Sequence, residues 1–166
     1  MLKPTFPTMV GEICQRDPRF APDAYLFVRE GLDFTVKWLK KPAHGTPTQR
    51  HVSGQELLDG LRRYALEQFG PMTKVVLEHW GIRQCADFGE IVFNMVETGL
   101  FGKTENDTRD DFKNGYSFED AFVKPYLPPV RPVPRRARQN APSNSSDRRR
   151  DKQITPDPES LNSGSN

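Results

Sequence analysis

Residues 50–100 read RHVSGQELLDGLRRYALEQFGPMTKVVLEHWGIRQCADFGEIVFNMVETGL. This stretch decides the fold, because three helical patterns follow one another with start and stop signals and few residues to spare. Ser53 and Glu56 make a capping box: the hydroxyl accepts from the amide three residues on, and the carboxylate reaches back to the serine amide. Leu57, Leu58, Leu61, Tyr64, Ala65 and Phe69 then form one apolar face at helical spacing. Gly70-Pro71 ends this helix and opens the next, a short helix given by Met72, Val75, Val76, His79 and Trp80 that Gly81 closes. Asp87 and Glu90 repeat the capping spacing ahead of a third helix that turns Phe88, Ile91, Val92, Met95 and Val96 inward. Gly99-Leu100 reads as a left-handed stop followed by an apolar lock on the last turn.

Upstream, Met9, Val10, Ile13 and Cys14 predict a short helix that Asp17-Pro18 ends, since the residue before proline avoids helical dihedrals. Pro22 suits the first position of a longer helix to about Lys41. It carries two apolar stripes, Tyr25-Val28-Leu32-Val36-Leu39 and Phe27-Phe34-Trp38, so burial on two sides is expected. Gly31 in its interior costs about 1 kcal/mol against alanine, a cost that a close helix–helix approach would explain. Residues 41–50, KPAHGTPTQR, are a loop by composition.

Downstream, residues 104–111 are polar and turn-rich, and Asn114-Gly115 between DDFK and YSFE is a hairpin signal. Phe118 and Phe122 also have the spacing of one helical turn closing the domain. The expected architecture is therefore mainly α: a compact domain of about five helices over residues 5–123, with a small C-terminal β-hairpin, possible as a winged-helix-like arrangement. Residues 124–166 form a Pro-, Arg- and Ser-rich tail expected to be disordered.

Composition supports that division. All 11 Phe of the 166 residues precede Lys124, and roughly 120 residues suffice for one core. The low mean hydropathy of −0.72 comes from the tail. Through Lys124 there are 16 Lys and Arg against 18 Asp and Glu, net −2; beyond it 8 stand against 4, net +4, which together give the chain's +2. The domain is thus not basic, and affinity for polyanions belongs to the tail. Cys14 and Cys85 lie 71 positions apart without a CxxC or metal-ligand spacing, and are expected as buried free thiols. No apolar run approaches the ~20 residues needed to span a bilayer, and the N-terminus lacks a signal peptide's apolar segment. A cytoplasmic setting with no membrane partner is expected.

The segments RDPRF (16–20), AYLFV (24–28), RHVSGQELLDGLRRYALEQFGPM (50–72), WGI (80–82) and DFGEIVFNMVETGL (87–100), with the acidic stretch ending at Asp111-Phe112, resemble a family of small bacterial proteins with no established activity. The resemblance covers about residues 6–123 and leaves out the tail. It implies the domain boundary and a bacterial, cytosolic setting, and it carries over no catalytic residue or cofactor.

Signals of chemistry are few. Gly102-Lys103-Thr104 ends like a phosphate-binding loop, but the first glycine of GxxxxGK[ST] would fall at Glu97 and the preceding segment is helical. His44, His51 and His79 show neither HExxH nor HxxxH spacing, and a Cys85–His79 pair lacks an oxyanion motif. His79 is expected to be partly buried and hydrogen-bonded. Glu105, Asp107, Asp110 and Asp111 lack the order of a calcium loop, and Glu90 with Glu97 offers only an unsupported carboxylate pair. No cofactor, metal or catalytic residue is assigned. In a winged helix, the helix of residues 87–98 would enter the major groove, yet its exposed positions Glu90, Asn94 and Glu97 and the acidic wing would repel phosphates.

The favoured function is a non-enzymatic interaction or adaptor module whose partner is another protein, with weak RNA or DNA contact through the tail. A nucleic-acid-associated regulator of winged-helix type is the alternative. An enzyme assembled from His51, His79, Glu90 and Arg109 is the third reading. Capping and turning leave Arg50, His51, Arg62, Arg63, His79, Asn94 and Arg109 as the candidate interaction surface. Arg135, Arg136, Arg138, Arg148, Arg149 and Arg150 are the candidate polyanion contacts of the tail.

Overall fold

The computed structural model describes residues 3–42 and 44–132. The chain divides into two compact units, Met1–Pro129 and Val130–Asn166; only residues 130–132 of the second are described, so the six tail arginines lie outside the described residues.

The first unit is helical. Its order is α1 (Phe6–Arg16), α2 (Pro22–Trp38), the single turn α3 (Pro47–Arg50), α4 (Gly54–Phe69), α5 (Thr73–His79) and α6 (Cys85–Glu97). Short 3₁₀ and π turns follow at Arg109–Phe112, Glu119–Val123 and Lys124–Tyr126. The central pair is α2 against α4. Two glycines let the helices approach: a side chain on Gly31 would run into Leu61, and one on Gly60 would run into Thr35. Thr35 is fully buried there, and its hydroxyl donates to the Gly31 carbonyl at 2.6 Å. The cost of an interior glycine is thus offset by the packing of Tyr25, Val28, Leu58 and Leu61, all essentially inaccessible to solvent.

Most of the expected boundaries agree with the structure. Ser53 Oγ accepts from the Glu56 amide at 3.2 Å, and Glu56 Oε2 accepts from the Ser53 amide at 2.9 Å, completing the capping box of α4. Gly81 adopts φ +91°, and a side chain there would strike the carbonyl of Arg19, so only glycine closes α5. Gly99 adopts φ +77°, and the Leu100 amide returns to the Met95 carbonyl at 2.9 Å.

Four expectations are corrected. The β-hairpin, and with it a wing, is not formed: among the described residues there is no strand. Ser117 decides the segment instead. Its hydroxyl accepts from the Asp120 amide at 3.1 Å and donates to Asp120 Oδ2 at 2.8 Å, which starts a helical turn. That turn buries Phe118 and Phe122, with ring centroids 5.0 Å apart, against Phe88. A lone two-stranded hairpin has no comparable partner. Second, α6 starts at Cys85, so Asp87 is in its first turn, where Oδ2 accepts from the amides of Arg83 (2.8 Å) and Gln84 (3.1 Å). Glu90 is therefore released from capping. Third, α5 starts at Thr73 and not at Met72, and it buries Thr73 and Leu77 while Met72 and Val75 stay exposed; Thr73 docks α5 by donating to the carbonyls of Ala65 and Gly70. Fourth, the loop after α2 contains the α3 turn, capped by Thr46, whose hydroxyl accepts from the Gln49 amide at 3.4 Å.

Among the described residues no helix is long and apolar enough to cross a membrane.

Candidate functional site

A cleft of about 450 Å³ opens beside α6. Its apolar side is built by Leu32 and Val36 of α2, Leu57 of α4, Val92 and Val96 of α6, and Phe101. The sequence places these here because α2 and α6 each carry a second, partly buried stripe beside the one facing the core. Leu32, Val36, Val92 and Val96 are each only partly buried. Polar groups edge the cleft: Asp33, Arg50, His51, Lys103, Thr104, Asp107 and Asp111.

These groups are partly locked together. Asp107 Oδ1 lies 3.1 Å from His51 Nε2. Asp107 Oδ2 accepts from the Thr104 amide at 2.7 Å and from the Thr104 hydroxyl at 3.0 Å. Asp107 thus ties the residue that precedes α4 to the segment that follows α6 across 56 positions of sequence. Both side chains are shielded, His51 at 29 % and Asp107 at 20 % accessibility. Asp111 Oδ2 accepts from the Thr108 amide at 2.8 Å. Lys103 sits with its ammonium 5.6 Å over the Phe93 ring, and Arg109 covers the same ring at 4.8 Å.

The candidate surface residues are dispersed. Arg50 and His51 line the cleft. Arg109 belongs to a charge network on the outside of α6, with Nε 3.3 Å from Glu90 and a terminal nitrogen 3.1 Å from Glu97. Glu90 also meets Arg19 at 3.2 Å, and Arg19 meets Asp17 at 2.7 Å. Asn94 is part-buried and donates to Asp17 Oδ2 (2.9 Å) and to the Tyr25 hydroxyl (3.1 Å), so it fastens α6 to α2 and to the turn before it. Arg63 stacks over Trp38 at 4.4 Å and covers part of a residue that remains 37 % exposed. Arg62 is half-buried on α4, its Nε buried without a hydrogen-bond partner among the described residues. His79 is exposed at the end of α5, against the expectation of a partly buried side chain, and lines a separate shallow depression with Cys14 and Trp80. His51, His79, Glu90 and Arg109 therefore do not converge on one site.

Compared with protein-family models, curated proteins and solved structures, the chain matches none.

Both cysteines are free thiols. Burial pushes the Cys85 thiol up to about 11, and its Sγ donates to the Tyr116 carbonyl at 3.2 Å. Burial also raises Cys14. Neither offers a thiolate nucleophile near neutral pH. Among the described residues no group of three His, Cys, Asp or Glu side chains is placed to hold a metal ion.

The outer network does have a pH signature. The Arg19 hydrogen bond, opposed by burial and helped by Asn94, holds the Asp17 carboxyl well below the usual carboxylate range. A depressed folded-state value stabilises the fold above the unfolded value of ~3.9, and this contribution fades as pH falls below it. Arg19 is more than half exposed, so solvent screens the pair and the effect is modest. In urea unfolding, Asp17→Asn is expected to lose less stability than the unsubstituted protein between about pH 5 and pH 2; equal losses would refute the assignment.

Sequence reasoning reached Arg50 and His51 but passed over most of the cleft. Lys103 and Thr104 stood out only as a truncated phosphate-loop fragment, and Asp107 only as one of several acids. The available signal was Thr104-x-x-Asp107, the spacing of a local side-chain-to-backbone turn. Nothing in the sequence pairs Asp107 with His51.

Proposed function

We propose that the chain is a non-enzymatic binding module and that the cleft between α2, α6, Arg50–Gly54 and residues 101–107 is its working surface. The supporting observation is the His51–Asp107–Thr104 set, held by hydrogen bonds at the edge of a cavity of about 450 Å³ that has one apolar side. Cavities of roughly 300–1,000 Å³ with apolar walls and a few fixed polar groups are the usual form of a ligand site. Polar groups that are already ordered lose little freedom on binding. The partner presents an apolar group to this cleft.

The regulator reading is less well supported. The face of α6 that would read a groove carries Glu90 and Glu97, engaged by Arg19 and Arg109, and Asn94 is committed inward. Weak polyanion affinity is proposed for the tail, and membership of a bacterial family is proposed on the motifs of residues 6–123 alone. Two free thiols suit the reducing cytoplasm.

Titration with octanol, followed by amide chemical shifts, tests the cleft. Shifts are expected at Leu57, Val92, Val96 and Phe101, and filling the cavity with Val96→Trp should remove them. Shifts confined to other surfaces, or persisting in a folded Val96→Trp protein, would sink the proposal.

A further inference from the structure

We propose that residues 127–132, LPPVRP, are a second interaction element: a polyproline II ligand for a partner protein with an aromatic-lined groove. The element is independent of the cleft and of whatever the cleft binds.

Local sequence dictates the conformation. Pro128, Pro129 and Pro132 fix their own φ at about −65°. The residue before a proline is pushed to extended dihedrals, and Leu127, Pro128 and Arg131 each hold that position. Only Val130 in this stretch is free of both constraints. Leu127 has φ −72° and ψ 139°, close to the polyproline II values of about −75° and +145°. Pro125 is not part of the element, because it lies in the 3₁₀ turn Lys124–Tyr126. From residue 128 to residue 132 the chain makes no backbone–backbone hydrogen bond among the described residues, so its carbonyls are open to a donor.

A polyproline II helix has three residues per turn, which sorts the side chains onto three edges. Leu127 and Val130 share the first, Pro129 and Pro132 the second, and Pro128 and Arg131 the third. Two edges are therefore wholly apolar, and the cation stands on the remaining one. All of residues 127–132 are exposed, Val130 at 95 % and Leu127 at 57 %.

This pattern selects the partner. Aromatic-lined grooves hold a polyproline II segment by packing rings on prolines and their apolar neighbours. Here the contacts on each apolar edge repeat after one turn, roughly 9 Å. A chain already restricted to this conformation loses little freedom on docking. Arg131 is on the edge turned away from such a groove and stays in water. A polyanion would instead engage Arg131 and have no use for the apolar edges.

The test titrates the full chain with an SH3 domain and with a WW domain, two folds that carry such grooves. Proline has no amide, so the readout is the amide shifts of Leu127, Val130 and Arg131. At least one domain is expected to move these signals. Pro129→Ala/Pro132→Ala should weaken that binding roughly tenfold, by restoring freedom to the unbound chain and removing one edge. Arg131→Gln should change it by less than about twofold, as for a solvated side chain. Both prolines are exposed, so the double variant is expected to fold, with the amides of α2 and α6 as the check. Should those amides move, Leu127→Ser/Val130→Ser, which removes the other apolar edge, is expected to show the same weakening. Absence of shifts at these three residues with both domains would overturn the proposal. So would binding that survives loss of either edge, or that falls as far in Arg131→Gln as in the proline variant. Tighter binding of a single-stranded oligonucleotide at the same amides would reassign the segment to polyanions. Octanol titration of the cleft reads other residues, so either site can fail without the other.

Discussion

Phe122→Ala is expected to lower the unfolding free energy by about 3–5 kcal/mol, the usual range for emptying a buried phenylalanine site. Phe122 has no solvent-accessible surface and packs edge-on against Phe118 at 5.0 Å and Tyr116 at 5.7 Å. Phe118 in turn meets Phe88, an inaccessible residue of α6. The ring therefore links the last turns of the domain to its centre. Small domains have a total stability of only about 5–15 kcal/mol, so the variant should unfold at a much lower urea midpoint with a similar slope. A loss below about 1 kcal/mol, typical of a surface substitution, would mean that residues 118–123 are not part of the core. The result bears on function, because the domain used in any truncation experiment must keep this segment.

The second large effect is at the α2–α4 crossing. Gly60→Val is expected to cost at least about 3 kcal/mol, the upper end for inserting carbon into a packed interior. The obstacle is Thr35, fully buried: its Oγ1 would overlap the added group most, and its Cβ would also lie 2.6 Å away, a contact that rotating the side chain does not relieve. Double substitution isolates the cause. Gly60→Ala should be strongly destabilising with Thr35 present and much less so beside Thr35→Gly, with a coupling of about 2 kcal/mol between contacting sites. Additive effects in thermal or urea unfolding would place the strain elsewhere. Ordinary helix propensity predicts the opposite sign for Gly60→Ala, a gain of about 1 kcal/mol, so the direction of the change alone is informative.

These two sites also show where the sequence was legible. Gly31 stood out as an interior glycine needing a close neighbour, and the structure supplies Leu61. Gly60, its counterpart on α4, carried the same signal and was passed over. Capping residues were readable because their partners lie three positions away: Ser53 with Glu56 could be paired from spacing. The C-terminal segment reads two ways, as a hairpin or as a helical turn carrying Phe118 and Phe122, and the structure forms the turn. Asn114-Gly115 favours a hairpin, Ser117-x-x-Asp120 favours a helical turn, and local chemistry alone does not rank them. The exposure of Met72 and Val75 was hidden for a similar reason, since an apolar side chain on a short helix does not say which face meets the core.

What the sequence by itself determined is the order of α1, α2, α4, α5 and α6, most of their starts and stops, and the placement of all core-forming aromatics before Lys124. These follow from interactions within a few residues and from composition. What only the tertiary structure decided is the cleft and the fate of the charges around it. Asp107 reaches His51 across 56 residues, and Asn94 reaches Asp17 across 77. Such pairs depend on how whole helices cross, which is set by glycine contacts and ring packing rather than by the spacing of the charged residues themselves. The same crossing sets Arg50 and Lys103, which make no ion pair among the described residues, at the edge of the cleft.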